Sequence, residues 1–175
     1  EAYSALNIEK PYLYCPEDAG ERAMANLLCA YLTRTNEEKY VAKVYEQFNT
    51  ANNITTSLGA FRALSQSGSR YEEKVTESFY ENNKGFDASL QEWMRVLCGD
   101  QRPGGLERVK KVMQVKEFNI EVPNFVYASI RVFGTNYANL HAKDGSGYRF
   151  MADKIIEIDK INSQVAAGLA TSFKQ

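Results

Sequence analysis

Residues 140–154 read LHAKDGSGYRFMADK, and the rest of the sequence is organised around this stretch. It contains the only histidine of the chain, His141, a turn punctuated by glycines, and Arg149, which stands between Tyr148 and Phe150. It then passes directly into a segment with helical periodicity. We expect this stretch to be the functional surface of a helical scaffold.

The sequence before this stretch predicts a series of helices. Apolar residues recur three and four positions apart, which is the spacing of one helical face, and polar or glycine-rich links separate the periodic segments. Residues 1–18 show no clean period and are interpreted as an irregular lead-in. The predicted buried face of the first helix consists of Ala23, Met24, Leu27, Leu28, Tyr31 and Leu32. No segment has a convincing period of two, so we predict an all-α protein of about nine helices.

The spacing of these helices predicts how they are arranged. They follow one another at intervals of about 15 to 20 residues, which implies a two-helix unit of roughly 35 to 40 residues. Units of this length are typical of HEAT/ARM-like repeats. We therefore predict an α-α superhelix of HEAT/ARM-like helical hairpins, and an irregular helical bundle is the alternative that the periodicity leaves open.

Composition and charge exclude several functional classes. The chain has 21 basic and 22 acidic residues and a formal net charge of −1, so it has no broad positive field for nucleic acid. No signal peptide or apolar run of membrane length is present, and we expect no membrane association. Cys15, Cys29 and Cys98 are odd in number and widely spaced, which favours a reducing, cytoplasmic compartment over a disulfide framework. The formal glycosylation sequon at Asn53 is interpreted as a helix cap.

The sequence predicts no catalytic residue and no metal ligand in this chain. Zinc hydrolysis would need at least a pair of histidines or a comparable cluster, and no histidine base lies in sequence beside any of the three cysteines. The glycines at 145 and 147 lack the spacing and the preceding strand of a nucleotide loop. They have two interpretations: a tight turn before a helix, which composition alone favours, or a turn that presents Tyr148 and Arg149 to a ligand carboxylate.

Several segments resemble the C-terminal helical domain of aminopeptidase N from bacteria and protozoa. The strongest is HAKDGSGYRFMAD at residues 141–153, followed by IDKINSQVAA at 158–167. ERAMANLLCAYL at residues 21–32 and QFNTANNIT at 47–55 agree, as do Phe79-Tyr80, Trp93 and the segment from Phe118 to Pro123-Asn124. They occur in the order and at the spacing of the family. The resemblance covers the chain from about Ala19 to its C-terminus.

The resemblance implies a role within a larger enzyme. Members of this family are zinc-dependent peptidases that remove N-terminal residues from peptides, and their HExxH motif lies in a separate catalytic domain that is absent from this chain. By resemblance, residues 1–175 are part of a single C-terminal α-solenoid domain, which shapes the substrate channel and packs on the catalytic domain of the same polypeptide without catalysis of its own. Zinc is then expected in the catalytic domain, with none bound by this chain. A start at Glu1 and an end before the family's last helices lead us to expect a fragment.

The resemblance also suggests which residues line the channel. The loop that contains Ser146, Gly147, Tyr148 and Arg149 is expected to lie at the cavity, with Arg149 as the group that meets the carboxylate or polar backbone on the leaving side of the peptide. A guanidinium fork suits a planar carboxylate, which gives this assignment a physical basis.

A second channel position departs from the family pattern. Tyr127 stands where bacterial relatives usually carry an arginine. Arg131 lies one helical turn further on and is expected to share the face of Tyr127. Both residues are candidates for the channel lining, and the departure leaves substrate selectivity open.

An interpretation from another class also fits the repeats. A free-standing α-solenoid adaptor would bind protein segments on a concave face and would belong to no enzyme. The length of the native open reading frame distinguishes the two: an upstream HExxH domain supports the peptidase, and a start codon near Glu1 supports the adaptor.

Overall fold

The computed structural model describes residues 2–6 and 10–174, and the regular structure of these residues is entirely helical. No strand occurs among them, so the all-α prediction is confirmed. The helices are α1 (Pro16–Arg34), α2 (Glu38–Thr50), α3 (Ile54–Ser65), α4 (Glu72–Asn83), α5 (Asp87–Cys98), α6 (Gly105–Val112), α7 (Pro123–Val126), α8 (Val132–Gly134), α9 (Tyr137–Leu140), α10 (Ser146–Asp159) and α11 (Ser163–Ala170). Short 3₁₀ turns span Tyr3–Ala5 and Thr171–Phe173.

The chain divides into two compact units, Glu1–Asn82 and Asn83–Gln175. In the first unit α1, α2 and α3 pack on one another. The rings of Phe61 and Phe79 stack with their centroids 4.4 Å apart and join α3 to α4. Both rings are fully buried, so they form the centre of this core. That the two units belong to a single solenoid domain stays a prediction.

The predicted buried face of α1 is wrong. The buried residues of this helix are Asp18, Arg22, Ala25, Cys29 and Thr33. Of the predicted set, Ala23, Met24, Leu27 and Tyr31 are exposed, and Leu28 and Leu32 are partly exposed. The buried side consists of small or polar residues, whereas periodicity alone selects the more strongly hydrophobic side, which is exposed.

Three helix starts in the first unit can be compared with their sequences. Asn53 caps α3, because its Oδ1 accepts a 3.0 Å hydrogen bond from the Thr56 backbone N–H, as the sequence predicts. α2 begins at Glu38, two residues after Asn36, which adopts the left-handed region at φ +54°. α1 begins at Pro16, inside the predicted lead-in 1–18, of which residues 1 and 7–9 lie outside the described part.

In the second unit one continuous helical stretch contains a π-helical segment. α7 passes without a break into π turns at Tyr127–Arg131 and then into α8. Within it the Ser129 hydroxyl donates a 2.6 Å hydrogen bond to the Phe125 carbonyl, a back-bond that competes with the regular helical ladder. α5 packs on this π segment and on α6, and α10 packs on α11.

The link between α5 and α6 is held by the buried carboxylate of Asp100. Asp100 is 3% exposed, and its Oδ2 lies 2.6 Å from Nη2 of Arg102 and 3.5 Å from Nε of Arg108. Its backbone carbonyl accepts a 2.8 Å hydrogen bond from the buried amide of Asn136. Burial alone would raise the pKa of Asp100, but the hydrogen bonds from Arg102 and the charges of Arg108 and Arg102 outweigh burial and lower it. The carboxylate is therefore held in its ionised form.

Candidate functional site

The loop between α9 and α10 is a tight turn with a defined hydrogen-bond pattern. The Gly145 N–H donates a 2.8 Å hydrogen bond to the Ala142 carbonyl, and Gly145 adopts φ +70°, a region that favours glycine. Asp144 Oδ1 accepts a 2.9 Å hydrogen bond from the Ser146 N–H at the start of α10. Hydrogen bonds from the Ser146 backbone and side chain lower the pKa of Asp144, and its negative charge also suits a helix N-terminus.

Gly147 lets the first turn of α10 lie directly against the end of α9. It is buried, and a Cβ at this position would lie 2.4 Å from the Leu140 carbonyl oxygen and 2.8 Å from that of Asn139. Both obstructing atoms belong to the backbone, so a side chain at position 147 has no space. Gly147, predicted as part of the channel lining, therefore lies at the base of the loop and fixes its position.

Arg149 is exposed on α10 and is partly engaged by its own loop. Its Nη2 donates a 2.7 Å hydrogen bond to the Asp144 carbonyl, and its Nη1 would lie 3.2 Å from a Cβ at Gly145. A guanidinium has five N–H donors, so the bond to Asp144 leaves several for a ligand. The structure thus holds Arg149 in place without using up its capacity to bind a carboxylate.

Tyr148 belongs to an exposed aromatic cluster that the sequence analysis missed. Its hydroxyl is hydrogen-bonded to Nδ1 of His141, and its ring stacks on Phe173 with centroids 6.0 Å apart. The His141 ring stacks on Tyr137 at 5.6 Å. Tyr137 and His141 are four residues apart on one helical turn, a spacing that could have indicated the contact. The partner Phe173 is distant in sequence and gave no such signal.

Tyr127 and Arg131 form a second group, at the π segment. The guanidinium of Arg131 lies over the ring of Tyr127, 5.4 Å from its centroid, so the two side chains share one side of the helix as predicted. Arg131 is exposed and Tyr127 is partly exposed. No described hydrogen bond or ring contact joins this pair to the loop of Tyr148 and Arg149. Whether both groups line one channel stays a prediction.

The described residues contain no cluster for a zinc ion, and the two buried cysteines are poor nucleophiles. Among them, no group of three or more His, Cys, Asp or Glu side chains could hold a metal ion. All three cysteines are free. Burial raises the pKa of the Cys29 thiol to about 12 and also raises that of Cys98, which disfavours the thiolate that nucleophilic chemistry needs. No helix within the described ranges has both the length and the apolar character that crossing a bilayer requires.

Successive helices that pack on their neighbours in sequence are features of a helical-repeat protein. The chain belongs to a family described as a domain of unknown function, DUF3458_C, with ARM repeats, which matches residues 1–175. The predicted fold class, all-α with ARM-like repeats, is thereby confirmed.

Proteins similar to this chain are aminopeptidases. It is 32% identical over 152 residues to aminopeptidase N of Caulobacter vibrioides, covering 86% of this chain and 18% of that protein. It is 26% identical over 164 residues to aminopeptidase N of Escherichia coli, covering 93% and 19%. The crystal structure of Legionella pneumophila aminopeptidase A in complex with aspartic acid matches with a TM-score of 0.83 and 30% identity, over 90% of this chain and 19% of that one. The resemblance to aminopeptidase N is confirmed, and the chain spans about a fifth of these relatives.

Proposed function

We propose that this chain is the later part of the C-terminal helical domain of a zinc aminopeptidase that removes N-terminal residues from peptides. In this proposal it shapes the substrate channel and packs on the catalytic domain of the same polypeptide, and it performs no catalysis itself. The zinc ion belongs to that catalytic domain. We further propose a cytoplasmic location, which the three free cysteines support.

One observation carries the proposal: relatives named aminopeptidase N match almost all of this chain, and the match covers only a small part of each relative. The similarity to aminopeptidase N of Caulobacter vibrioides covers 86% of this chain but only 18% of the relative. A segment of that relative size can form part of the wall of a substrate channel while the catalytic groups lie elsewhere in the polypeptide. A match over 152 residues of this chain to a protein named aminopeptidase N favours this interpretation over a free-standing adaptor.

The geometry of the α9–α10 loop supports a role in binding the peptide. Gly147 and the hydrogen bond from Arg149 to the Asp144 carbonyl hold the loop in one conformation, and Tyr148 and Arg149 remain exposed on it. Holding a binding group in place before the ligand arrives reduces the entropy lost on binding. Arg149 is therefore well suited to meet the carboxylate or polar backbone of a peptide beyond its scissile bond.

The chain by itself is expected to be inactive. With zinc added, purified residues 1–175 should release no N-terminal amino acid from peptides or from chromogenic amino-acid amides, because the described residues provide no cluster for the metal. Release is measured by chromatography of the products. Reproducible, chelator-sensitive release by the pure chain would contradict the proposal.

In the full-length enzyme, Arg149→Ala is expected to lower kcat/KM for peptides by about tenfold, the usual effect of one lost charge-assisted hydrogen bond at an exposed site. Small amino-acid amides should lose less than about threefold, since they do not extend past the scissile bond. Steady-state kinetics on both substrate types measures the split.

Two controls separate binding from folding in this experiment. Arg149→Lys retains the charge and loses the planar fork, so it should show an intermediate loss on peptides. Thermal unfolding of each variant shows whether the bond to Asp144 matters for stability. Equal losses on peptides and amides would assign Arg149 to loop structure and remove it from the channel.

A further inference from the structure

The exposed side of α1 is apolar along most of its length. Met24, Leu27 and Tyr31 are 49%, 54% and 66% exposed, and a Cβ added at Gly20 would meet no atom within 4 Å. At 3.6 residues per turn these four positions fall within about 60° of one another around the helix. We call this surface, made of Gly20, Met24, Leu27 and Tyr31, the α1 outer stripe.

The opposite side of α1 is already covered within the chain, and its buried residues are small or polar. Ala25 and Cys29 on that side are fully buried, and α1 packs there on α3. A surface helix of a globular protein ordinarily has charged residues opposite its buried stripe. α1 instead has an apolar stripe opposite the side that is already buried, which is the pattern of an internal helix with a partner on each side.

The family gives this composition a physical reason. In stacked helical repeats each unit is covered by its neighbours, and only the terminal units have polar outer faces. The chain covers 18% and 19% of two of its relatives, so most of the polypeptide in such proteins lies outside residues 1–175. The outer stripe of α1 is therefore apolar where a terminal repeat would be polar.

We propose that the α1 outer stripe is the docking surface for an amphipathic helix of the same longer polypeptide, which lies antiparallel to α1. The inference rests on the proposed function only for the existence of that longer polypeptide.

The direction of the docked helix follows from charge. Glu17 in the first turn of α1 and Arg34 in its last turn are exposed beside the two ends of the stripe. An antiparallel partner places its acidic first turn near Arg34 and its basic last turn near Glu17, which is the normal charge bias of helix ends. The open space at Gly20 lets the partner's backbone approach closely.

Cysteine protection in the full-length protein tests the docking. Leu27→Cys is compared with the control Glu46→Cys, an exposed position on α2, with Cys15 replaced by serine in both; Cys29 and Cys98 are buried. In the full-length protein a maleimide should label position 27 at least about tenfold more slowly than position 46. In residues 1–175 alone the two rates should agree within about threefold. Equal rates in the full-length protein would overturn the proposal.

A second variant tests the same surface by stability. Leu27→Glu should lower the unfolding temperature of the full-length protein by about 4 °C or more, and that of residues 1–175 by less than about 1 °C, because position 27 is exposed there. An equal shift in both would overturn the proposal. Sedimentation gives another way to contradict the proposal. If residues 1–175 form a dimer and Leu27→Glu dissociates it, the partner on the α1 outer stripe is a second copy of this chain.

Neither measurement depends on peptidase activity. A full-length protein that shows the protection but cleaves no peptide keeps this inference and contradicts the proposed function. An active peptidase in which maleimide labels position 27 as fast as position 46 contradicts this inference and keeps the proposed function.

Discussion

Replacing Gly147 by alanine is expected to lower the free energy of unfolding of the second unit by about 3 kcal/mol, at the upper end of the usual cost of overpacking. The new Cβ would lie 2.4 Å from the Leu140 carbonyl oxygen and 2.8 Å from that of Asn139. These backbone atoms cannot rotate away as a flexible side chain could. α9 and α10 must separate, and the loop that carries Tyr148 and Arg149 moves with them. Urea unfolding followed by the fluorescence of Trp93, the single tryptophan, measures the change within this unit.

Gly168→Ala is the matched control for this substitution. Gly168 lies in α11 of the same unit, and a Cβ there would meet no atom within 4 Å. Alanine at a helical position without obstruction is expected to stabilise by up to about 1 kcal/mol, because glycine loses more backbone entropy on folding. If Gly147→Ala unfolds at the same urea concentration as the wild type, position 147 does not lie against the backbone of α9, and the prediction is wrong.

The helical periodicity predicted the fold class correctly and the buried side of α1 incorrectly. It selected Met24, Leu27 and Tyr31 because they are more hydrophobic than Ala25, Cys29 and Thr33, which are the residues buried against α3 and its neighbours. A single sequence shows that a helix has apolar sides. It does not show that a less hydrophobic side can be the one buried within residues 1–175.

The candidate loop was predictable in its local chemistry but not in its contacts. Glycines at 145 and 147 indicated a turn before a helix, and the structure has one. The bond between Tyr148 and His141 depends on where α9 ends, and the stack on Phe173 depends on the path of the chain after α11, so neither follows from local sequence. The π turns at Tyr127–Arg131 were not predicted either, because they depend on tertiary context more than on residue type.

Asp100 was also missed, because its partners could not be identified from the sequence. It precedes an Arg-Pro-Gly-Gly segment that indicates only a break between helices. Its two arginines lie two and eight positions further on, and only the turn into α6 brings both guanidinium groups to one carboxylate. The backbone carbonyl of the same residue meets Asn136, which is distant in sequence.

Asp100→Asn is expected to lower the free energy of unfolding of the second unit by about 2 to 3 kcal/mol. The amide has nearly the same shape but leaves the guanidinium groups of Arg102 and Arg108 without their counter-ion. The arginines are partly exposed, so water replaces some of the lost interaction and the cost falls below that of a fully buried pair. Glu107→Gln is the control: Glu107 makes an exposed ion pair with Lys110 on α6, and its loss should change stability by less than about 1 kcal/mol.

The pH dependence of this difference identifies the charge as its cause. The pKa of Asp100 is lowered in the folded state, so its contribution is fully present above the unfolded value of about 4 and is lost as pH falls through the lower folded value. The stability difference between wild type and Asp100→Asn should therefore be constant from about pH 5 to 8 and should shrink below about pH 4. Urea unfolding at a series of pH values, followed at Trp93, measures it. A difference that stays unchanged in acid would mean that the asparagine is costly for its shape, and that the carboxylate charge does not hold α5 to α6.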